Sequence, residues 1–230
     1  SDVVVENTYQ LEFIDAVPLE PEVGFAMPER EGGITCVGSM QCPFDVRNRV
    51  AEILGLPYEK VRVVQAFTGG GFGPKSDETP IDVCALAALA AYKTGKSAVA
   101  MFTRDEAMVA QTKRHKFIIR NKTGATRDGK LQAWESTLVS DTGAYISKGE
   151  LVMIRAIFHC TGPYEVPNVK ADGYCVLTNN TLAGSTRGFG GPQAHFAAER
   201  QMDELARKLG MDPFDLRMKN LLSPGSLTLT

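Results

Sequence analysis

Along the chain the hydrophobic pattern switches between the alternation of strands and the wider period of helices. Residues 3–13 are rich in β-branched and aromatic side chains and predict one long strand or a strand pair. Residues 24–27 and 34–41, split by the polar turn Pro28-Glu29-Arg30-Glu31-Gly32-Gly33, predict a hairpin. Over residues 44–54 a helix is expected: Val46, Val50, Ile53 and Leu54 share a face, and Gly55 stands where a C-terminal cap belongs. Residues 61–67 read as a strand, 80–93 as an apolar helix ended near Gly95, and 97–102 as another strand. Residues 117–122 and 131–140 predict a long hairpin around Arg127-Asp128-Gly129-Lys130. Residues 141–167 read as loop with one helical run near 150–159, and 169–178 as a strand. An amphipathic helix follows, with Pro192 at its first position, Ala194, Ala198, Met202, Leu205 and Leu209 as its stripe, and Gly210 as its cap. Asp212-Pro213 opens a last short helix. This order predicts an α+β fold with mixed sheets and packed helices. It reads as two intimate αβ lobes within one domain over residues 1–230, with a lobe boundary near 105–112.

Composition narrows the function classes. With 230 residues the chain can bury a sizeable core. Its net charge is −2 with both signs interspersed, so nothing points to nucleic acid or to an anionic membrane surface. The longest apolar run, residues 83–92, is half of the roughly 20 residues a membrane span requires. The start carries no signal peptide, and the expectation is a soluble, cytoplasmic protein. Ser1 in place of Met, and the tail 223–230, read as the ends of a piece of something longer. Cys36, Cys42, Cys84, Cys160 and Cys175 show neither a C-x-x-C nor a paired histidine. They read as buried thiols, not as a disulfide frame, a zinc site or an iron–sulfur site.

Two glycine-rich loops carry the chemistry. Thr68-Gly69-Gly70-Gly71-Phe72-Gly73-Pro74-Lys75-Ser76 lies between a strand and a helix, where backbone amides and the helix start can hold an anion. A P-loop reading fits Gly69, Lys75 and Ser76, but Pro74 replaces the second glycine and removes an N–H from the phosphate cradle. A tight turn without a ligand is the remaining bland alternative, although three glycines make a costly connector unless something must approach the backbone. The second loop, Gly184-Ser185-Thr186-Arg187-Gly188-Phe189-Gly190-Gly191-Pro192-Gln193, presents an Arg and a Phe between glycines ahead of a helix. Its bland alternative is a capping loop whose Phe189 packs into the core.

The first loop resembles the G-G-G-F-G-G-K segment, and the second the A-F-R-G-F-G-G-P-Q segment, of the xanthine dehydrogenase and aldehyde oxidase family of molybdenum hydroxylases. Further pieces agree in order: Pro18-Leu19-Glu20-Pro21, residues 87–96, Arg104-Asp105-Glu106, Arg155-Ala156-Ile157-Phe158-His159, and Pro163-Tyr164 with Pro167-Asn168. The resemblance covers the whole chain and implies the first half of a molybdopterin-binding portion. It implies a molybdenum–pterin cofactor, as molybdopterin or its cytosine dinucleotide. Gly70, Gly71, Phe72, Gly73, Thr186, Arg187, Gly188 and Gln193 would contact it. Phe189, Arg155 and Ser76 would contact a purine, another N-heterocycle or an aldehyde, which is hydroxylated with water as the oxygen source.

The family's catalytic glutamate lies in a G-x-G-E segment with no counterpart here, so the catalytic base is expected outside this chain. Iron–sulfur and FAD groups are expected on other domains or subunits, and the second half of the molybdopterin-binding portion is the nearest expected partner. Xanthine-type members carry a Glu where this chain has Ser76, and the family's Gln upstream of the Leu19-Glu20 element has no match near Ile14 and Asp15. Gly188 stands where carbon monoxide dehydrogenases place a Cys, which excludes a copper–molybdenum site. His115, His159 and His195 are not at ligand spacing and read as structural; Trp134 reads as core. The reading from a different class is a non-catalytic subunit that only completes a cofactor pocket.

Overall fold

The computed structural model describes residues 1–226; residues 227–230 of the tail lie outside them. The elements in chain order are β1 (Val3–Leu11), β2 (Val23–Pro28), β3 (Ile34–Gly38), α1 (Pro43–Leu54), β4 (Val61–Gln65), α2 (Glu78–Thr94), β5 (Ala98–Met101), α3 (Arg104–Ala110) and β6 (Lys113–Arg114). They continue with β7 (Lys116–Ala125), β8 (Leu131–Gly143), α4 (Gly149–Phe158), β9 (Val169–Leu177), β10 (Ala183–Gly184), α5 (Gly191–Leu209) and α6 (Pro213–Asn220). The fold is α+β with mixed sheets. The chain divides into two compact units: unit 1 holds Ser1–Phe13, His115–Asn180 and Gly188–Thr230, and unit 2 holds Ile14–Arg114 and Thr181–Arg187.

Unit 2 is built on a four-stranded sheet of order β4-β3-β2-β5. The hairpin β2–β3 is antiparallel, as its polar turn implies, whereas β3 and β4 run parallel because α1 separates them. Helices α1 and α2 bury Val46, Val50, Ala51, Cys84, Ala87, Ala88 and Ala91 against Ala26, Ile34, Cys36 and Val61. Gly55 and Gly95 both adopt the left-handed conformation that ends a helix.

Residues 104–110 form α3, where the pattern of apolar residues suggested only a joint between lobes. The signal is local: Thr103 accepts from the Glu106 N–H and the Glu106 carboxylate accepts from the Thr103 N–H, a complete capping box. The chain passes from unit 2 to unit 1 between Arg114 and His115, just after residues 105–112.

Unit 1 is a second four-stranded sheet, β1-β7-β8-β9, with β9 parallel to β8 across the α4 connection. Residues 3–11 make a single long strand, paired along its length with β7. On this sheet α5 lays Ala194, Ala197, Ala198, Met202 and Leu205 into cores that include Phe117, Trp134 and Leu138. A buried Gln201 fixes α5 further: its Oε1 accepts from Tyr9 Oη (2.8 Å) and Asn7 Nδ2 (3.1 Å), and its Nε2 donates to the Val5 carbonyl (3.0 Å). Helix α5 starts at Gly191, one residue earlier than its pattern suggests, so Pro192 takes the second position, which also requires no N–H partner. Among the described residues, no helix is long and apolar enough to cross a membrane.

Candidate functional site

In unit 2 the first glycine-rich loop rests on a buried ion pair. Lys75 is fully buried, and its ammonium donates to Glu20 Oε2 (2.7 Å), the Glu20 carbonyl (3.1 Å) and Ser39 Oγ (3.1 Å). The same Glu20 oxygen accepts from Ser39 Oγ (2.6 Å) and the Gly69 N–H (2.7 Å). Burial alone would raise the Glu20 carboxyl, but hydrogen bonds from Lys75, Ser39 and Gly69 hold it below its ordinary range. Gln41 adds a further strut, its Oε1 accepting from the Gly73 N–H (3.0 Å). This geometry removes the P-loop reading: the lysine that should reach a phosphate points into the protein and is fully engaged.

What the buttress presents is backbone. Phe72 takes a positive φ of 55°, a conformation that a bulky residue adopts only when its surroundings impose it. Among the described residues, the N–H groups of Gly70, Gly71 and Phe72 make no backbone hydrogen bond. The second loop meets the first here: Arg187 N–H donates to the Phe72 carbonyl (2.8 Å). Gly73 lies so close that a Cβ on it would run into the Ser185 carbonyl. Asp77, 2% exposed, ties the pair together, its Oδ2 accepting from Ser185 N–H (2.5 Å) and Thr112 Oγ1 (3.3 Å). Arg114 donates to the Arg187 carbonyl (3.0 Å). Thr186 is 4% exposed, and its hydroxyl has no partner among the described residues.

These features fit an anionic, oxygen-rich cofactor: open amides on glycines, a strained turn held from beneath, and an enclosed hydroxyl awaiting an acceptor. Ser76 turns its hydroxyl onto the Gly73 carbonyl (2.7 Å), so it serves the turn of the loop.

The remaining expected residues lie in unit 1, which the chain enters at Gly188. Gly188 has φ +85°, and a Cβ there would meet Pro192 Cγ at 2.7 Å, so a cysteine at this position would be strained. Gln193 is buried; its Oε1 accepts from the Gly190 N–H (3.2 Å) and its Nε2 donates to the His115 carbonyl (3.4 Å), so it caps α5. Phe189 is half-buried against the core that contains Phe117 and Val152. The Arg155 guanidinium lies 4.7 Å from its ring centroid, a cation–π stack. A flat ligand would therefore meet the other face of Phe189 or displace the guanidinium.

Both residues line an open cleft of about 890 Å³, walled by Leu151, Ile154 and Phe158 on one side and Tyr164 and Pro167 on another. His159 and His195, read from sequence as unrelated structural residues, also line it, with ring centroids 5.0 Å apart. Sequence spacing could not show this pair, because the two rings come from different helical segments. Nor could it show Ser39, Gln41 and Asp77 as loop supports, since each acts across a fold contact.

The molybdopterin cofactor-binding domain family matches residues 1–221 of the chain. The chain is 45% identical to the nicotinate dehydrogenase large molybdopterin subunit of Eubacterium barkeri, over all of this chain and 53% of that one. It is 40% identical to a probable xanthine dehydrogenase subunit of Bacillus subtilis, over 99% of this chain and 30% of that one. Among solved structures, the aldehyde oxidoreductase of Desulfovibrio gigas superposes with a TM-score of 0.92 at 32% identity, over 99% of this chain and 25% of that one. The chain thus spans about half or less of the length of these relatives.

Proposed function

The chain belongs to the molybdopterin cofactor-binding domain family, and from that premise we propose that it supplies the two cofactor loops and part of the substrate cleft of a molybdenum hydroxylase. The substrates of the complete enzyme are N-heterocycles, purines among them, or aldehydes. When bound, the molybdenum–pterin group supplies the oxidising and oxygen-transfer chemistry, with water as the oxygen source. The observation that carries this reading is the backbone joint between the loops, Arg187 N–H to Phe72 carbonyl at 2.8 Å beside a Gly73 that admits no side chain. Two glycine-rich segments more than a hundred residues apart converge on one backbone surface, where anion-binding amides cost no side-chain rearrangement.

Gly70, Gly71 and Phe72 would offer amides to the cofactor and Gly73, whose own N–H is held by Gln41, would let the backbone come close to it, with Thr186 adding a hydroxyl donor and Arg187 and Gly188 shaping the approach. Gln193 would act by holding the start of α5. On the cleft side Phe189 would give a flat substrate an apolar face, and Arg155 would stabilise negative charge developing on a ring. Ser76, in place of a Glu, would leave the substrate side of the first loop without a fixed charge. The apolar wall of Leu151, Ile154 and Phe158, each about half exposed, would be closed by the rest of the complete protein. Iron–sulfur and flavin groups would reside on other domains or subunits. The cysteines stand free, which suits a reducing cytoplasm.

The test is turnover of the complete enzyme on a panel of purines, aldehydes and pyridine derivatives, with an artificial electron acceptor in isotopically labelled water. Label in the hydroxylated product is the expected result. A molybdenum-loaded enzyme that oxidises none of the panel, or a product without label, would overturn the reading.

A further inference from the structure

Unit 2 holds a buried carboxyl that the loop surface does not use. Glu22, the residue before β2, and Gln111, the residue that caps the end of α3, are each 1% exposed. Gln111 Nε2 donates to Glu22 Oε1 at 2.7 Å. The other atom of each group, Glu22 Oε2 and Gln111 Oε1, is buried and has no partner among the described residues. Both are acceptors, so they cannot satisfy each other without a proton, and each orphan costs desolvation energy. Reversing the amide would set two oxygens against each other at 2.7 Å, a contact that itself calls for a proton. The charged groups around the pair are already engaged. Lys75 is held by Glu20 and Ser39, and Lys113 by Asp15 at 2.6 Å. Arg104 donates through Nη2 to the carbonyls of Pro18 and Leu19, and its Nη1 is buried and bonded to nothing among the described residues, Glu22 included. Burial, the largest influence, pushes the Glu22 carboxyl above its ordinary range; its own N–H, Lys75 and Arg104 oppose this without reversing it, and Asp15 adds to it.

One proton on Glu22 Oε2 removes both orphans, because the acid then donates to Gln111 Oε1 while the amide donates to Glu22 Oε1. We propose that Glu22 is a neutral carboxylic acid in the folded protein, closed into an acid–amide ring with Gln111, and that this ring positions the strap of residues 18–22 beneath the first glycine-rich loop. The strap grips that loop twice: the Glu20 N–H donates to the Gly69 carbonyl (3.2 Å), and Glu20 Oε2 accepts from the Gly69 N–H (2.7 Å). Its far end is fixed at Glu22, whose carbonyl accepts from the Phe102 N–H (2.9 Å), and by α3, which carries Arg104 at its start and Gln111 at its end. That the strap supports a cofactor surface rests on the reading above; the ring itself does not. Two carboxyls separated by Pro21 thus take opposite states, Glu20 ionised against Lys75 and Glu22 neutral against an amide. Their pH dependences oppose each other too. The contribution of Glu22 is fully present below the unfolded value near 4.5 and is lost as pH rises through the folded one. Once ionised, Glu22 faces an acceptor in a buried site and competes for Arg104 Nη1, loosening the residue that holds Pro18 and Leu19.

The experiment uses the complete protein and two substitutions, Glu22→Gln and Gln111→Leu. Infrared difference spectra between the wild type and Glu22→Gln, recorded over a pH series in light and heavy water, read the carbonyl stretch of a protonated acid, which lies apart from carboxylate and amide bands. The wild type is expected to show one such band at about pH 6, where exposed carboxyls have ionised, and to lose it as pH rises. Amide exchange at Glu20, Gly69 and Phe102, corrected for intrinsic rates, reads the positioning. In the wild type, protection should fall on both sides, in acid through Glu20 and at higher pH through Glu22. Glu22→Gln keeps the ring as a pair of amides, so it should retain the protection and the acid limb and lose only the limb at higher pH. Gln111→Leu should exchange about tenfold faster at these amides, because it leaves the acid buried without a partner. Absence of the acid band at about pH 6 would overturn the proposal by showing an ionised Glu22 satisfied by an enclosed water or by Arg104. So would a Glu22→Gln protein that exchanges faster than the wild type with both limbs intact, the result of a contact that is structural only. Neither readout requires molybdenum. A protein that never takes up the metal yet shows the band and both limbs upholds the ring and sinks the cofactor reading, whereas a molybdenum-loaded protein without the band sinks the ring alone.

Discussion

The loop surface of unit 2 and the cleft of unit 1 reach their function by opposite routes. In unit 2 the presented surface is backbone, and the side chains lie beneath it: Lys75, Glu20, Ser39, Gln41 and Asp77 are braces that no ligand needs to touch. In unit 1 the presented surface is side chain, with Arg155 and His195 carried on α4 and α5, His159 at the end of α4 and Phe189 on the loop before α5. A cradle for an invariant cofactor gains from rigidity and from amides that cannot rotate away. A cleft that selects among substrates gains from side chains that substitution can retune without refolding the loop. Unit 2 should therefore respond to mutation in stability and cofactor content, and unit 1 in rate and preference.

The most severe test of that contrast is Lys75→Met. It leaves Glu20, whose side chain is 29% exposed, with no cation; solvent screening and the remaining bonds from Ser39 and Gly69 keep the cost at the low end of the about 3–5 kcal/mol typical of a fully buried partner, and hydrogen exchange at residues 69–76 should accelerate correspondingly in the complete protein. Adding Glu20→Gln to the same chain should recover much of the loss, because no uncompensated charge remains. The pH dependence follows from the lowered carboxyl of Glu20. Its contribution is fully present above the unfolded value near 4.5 and is lost as pH falls through the folded one. The wild type should thus loosen at this loop in acid, and the double variant should not. Exchange in Lys75→Met that matches the wild type would mean that the ion pair is not the brace.

Asp77→Asn comes next in size. The acceptor of the Ser185 N–H loses its charge, at a cost of about 2 kcal/mol for a bond to an ionised group, and the joint between the loops loosens. Molybdenum content should fall while the preference among substrates stays as it was. A shift in substrate preference with full metal content would break the division between cradle and cleft.

Phe189→Leu should have the mildest effect, since leucine keeps the apolar packing against the core and removes only the ring face. A loss of about 1 kcal/mol in kcat/KM for flat substrates is expected, with normal molybdenum content. Loss of metal instead would place Phe189 among the braces.

The same contrast sets what the amino-acid pattern could reveal. The glycine runs 69–71 and 190–191, the caps Gly55, Gly95 and Gly210, and the apolar stripes of α2 and α5 are local features, and each could be read along the chain. Helix α3 was equally local, but its capping box of Thr103 and Glu106 is short and lacks a long apolar stripe. The braces were not legible because each joins positions far apart: Lys75 to Glu20 across 55 residues, Ser185 to Asp77 across 108. His159 and His195 failed for the same reason, their rings meeting only because α4 and α5 pack on one sheet. Parallel pairing of β9 with β8 likewise depends on α4 serving as a crossover, which the loop-like composition of residues 141–167 obscured.

Metal and pterin analysis tests the central claim most directly, because the loops are argued to exist for a molybdenum–pterin group and to form only part of its binding site. The complete protein should carry molybdenum and pterin in stoichiometric amounts, and this chain expressed by itself should carry little of either, since a partial pocket gives a large anionic cofactor too few partners. A complete, folded protein purified from molybdenum-replete cells with neither molybdenum nor pterin would contradict the account.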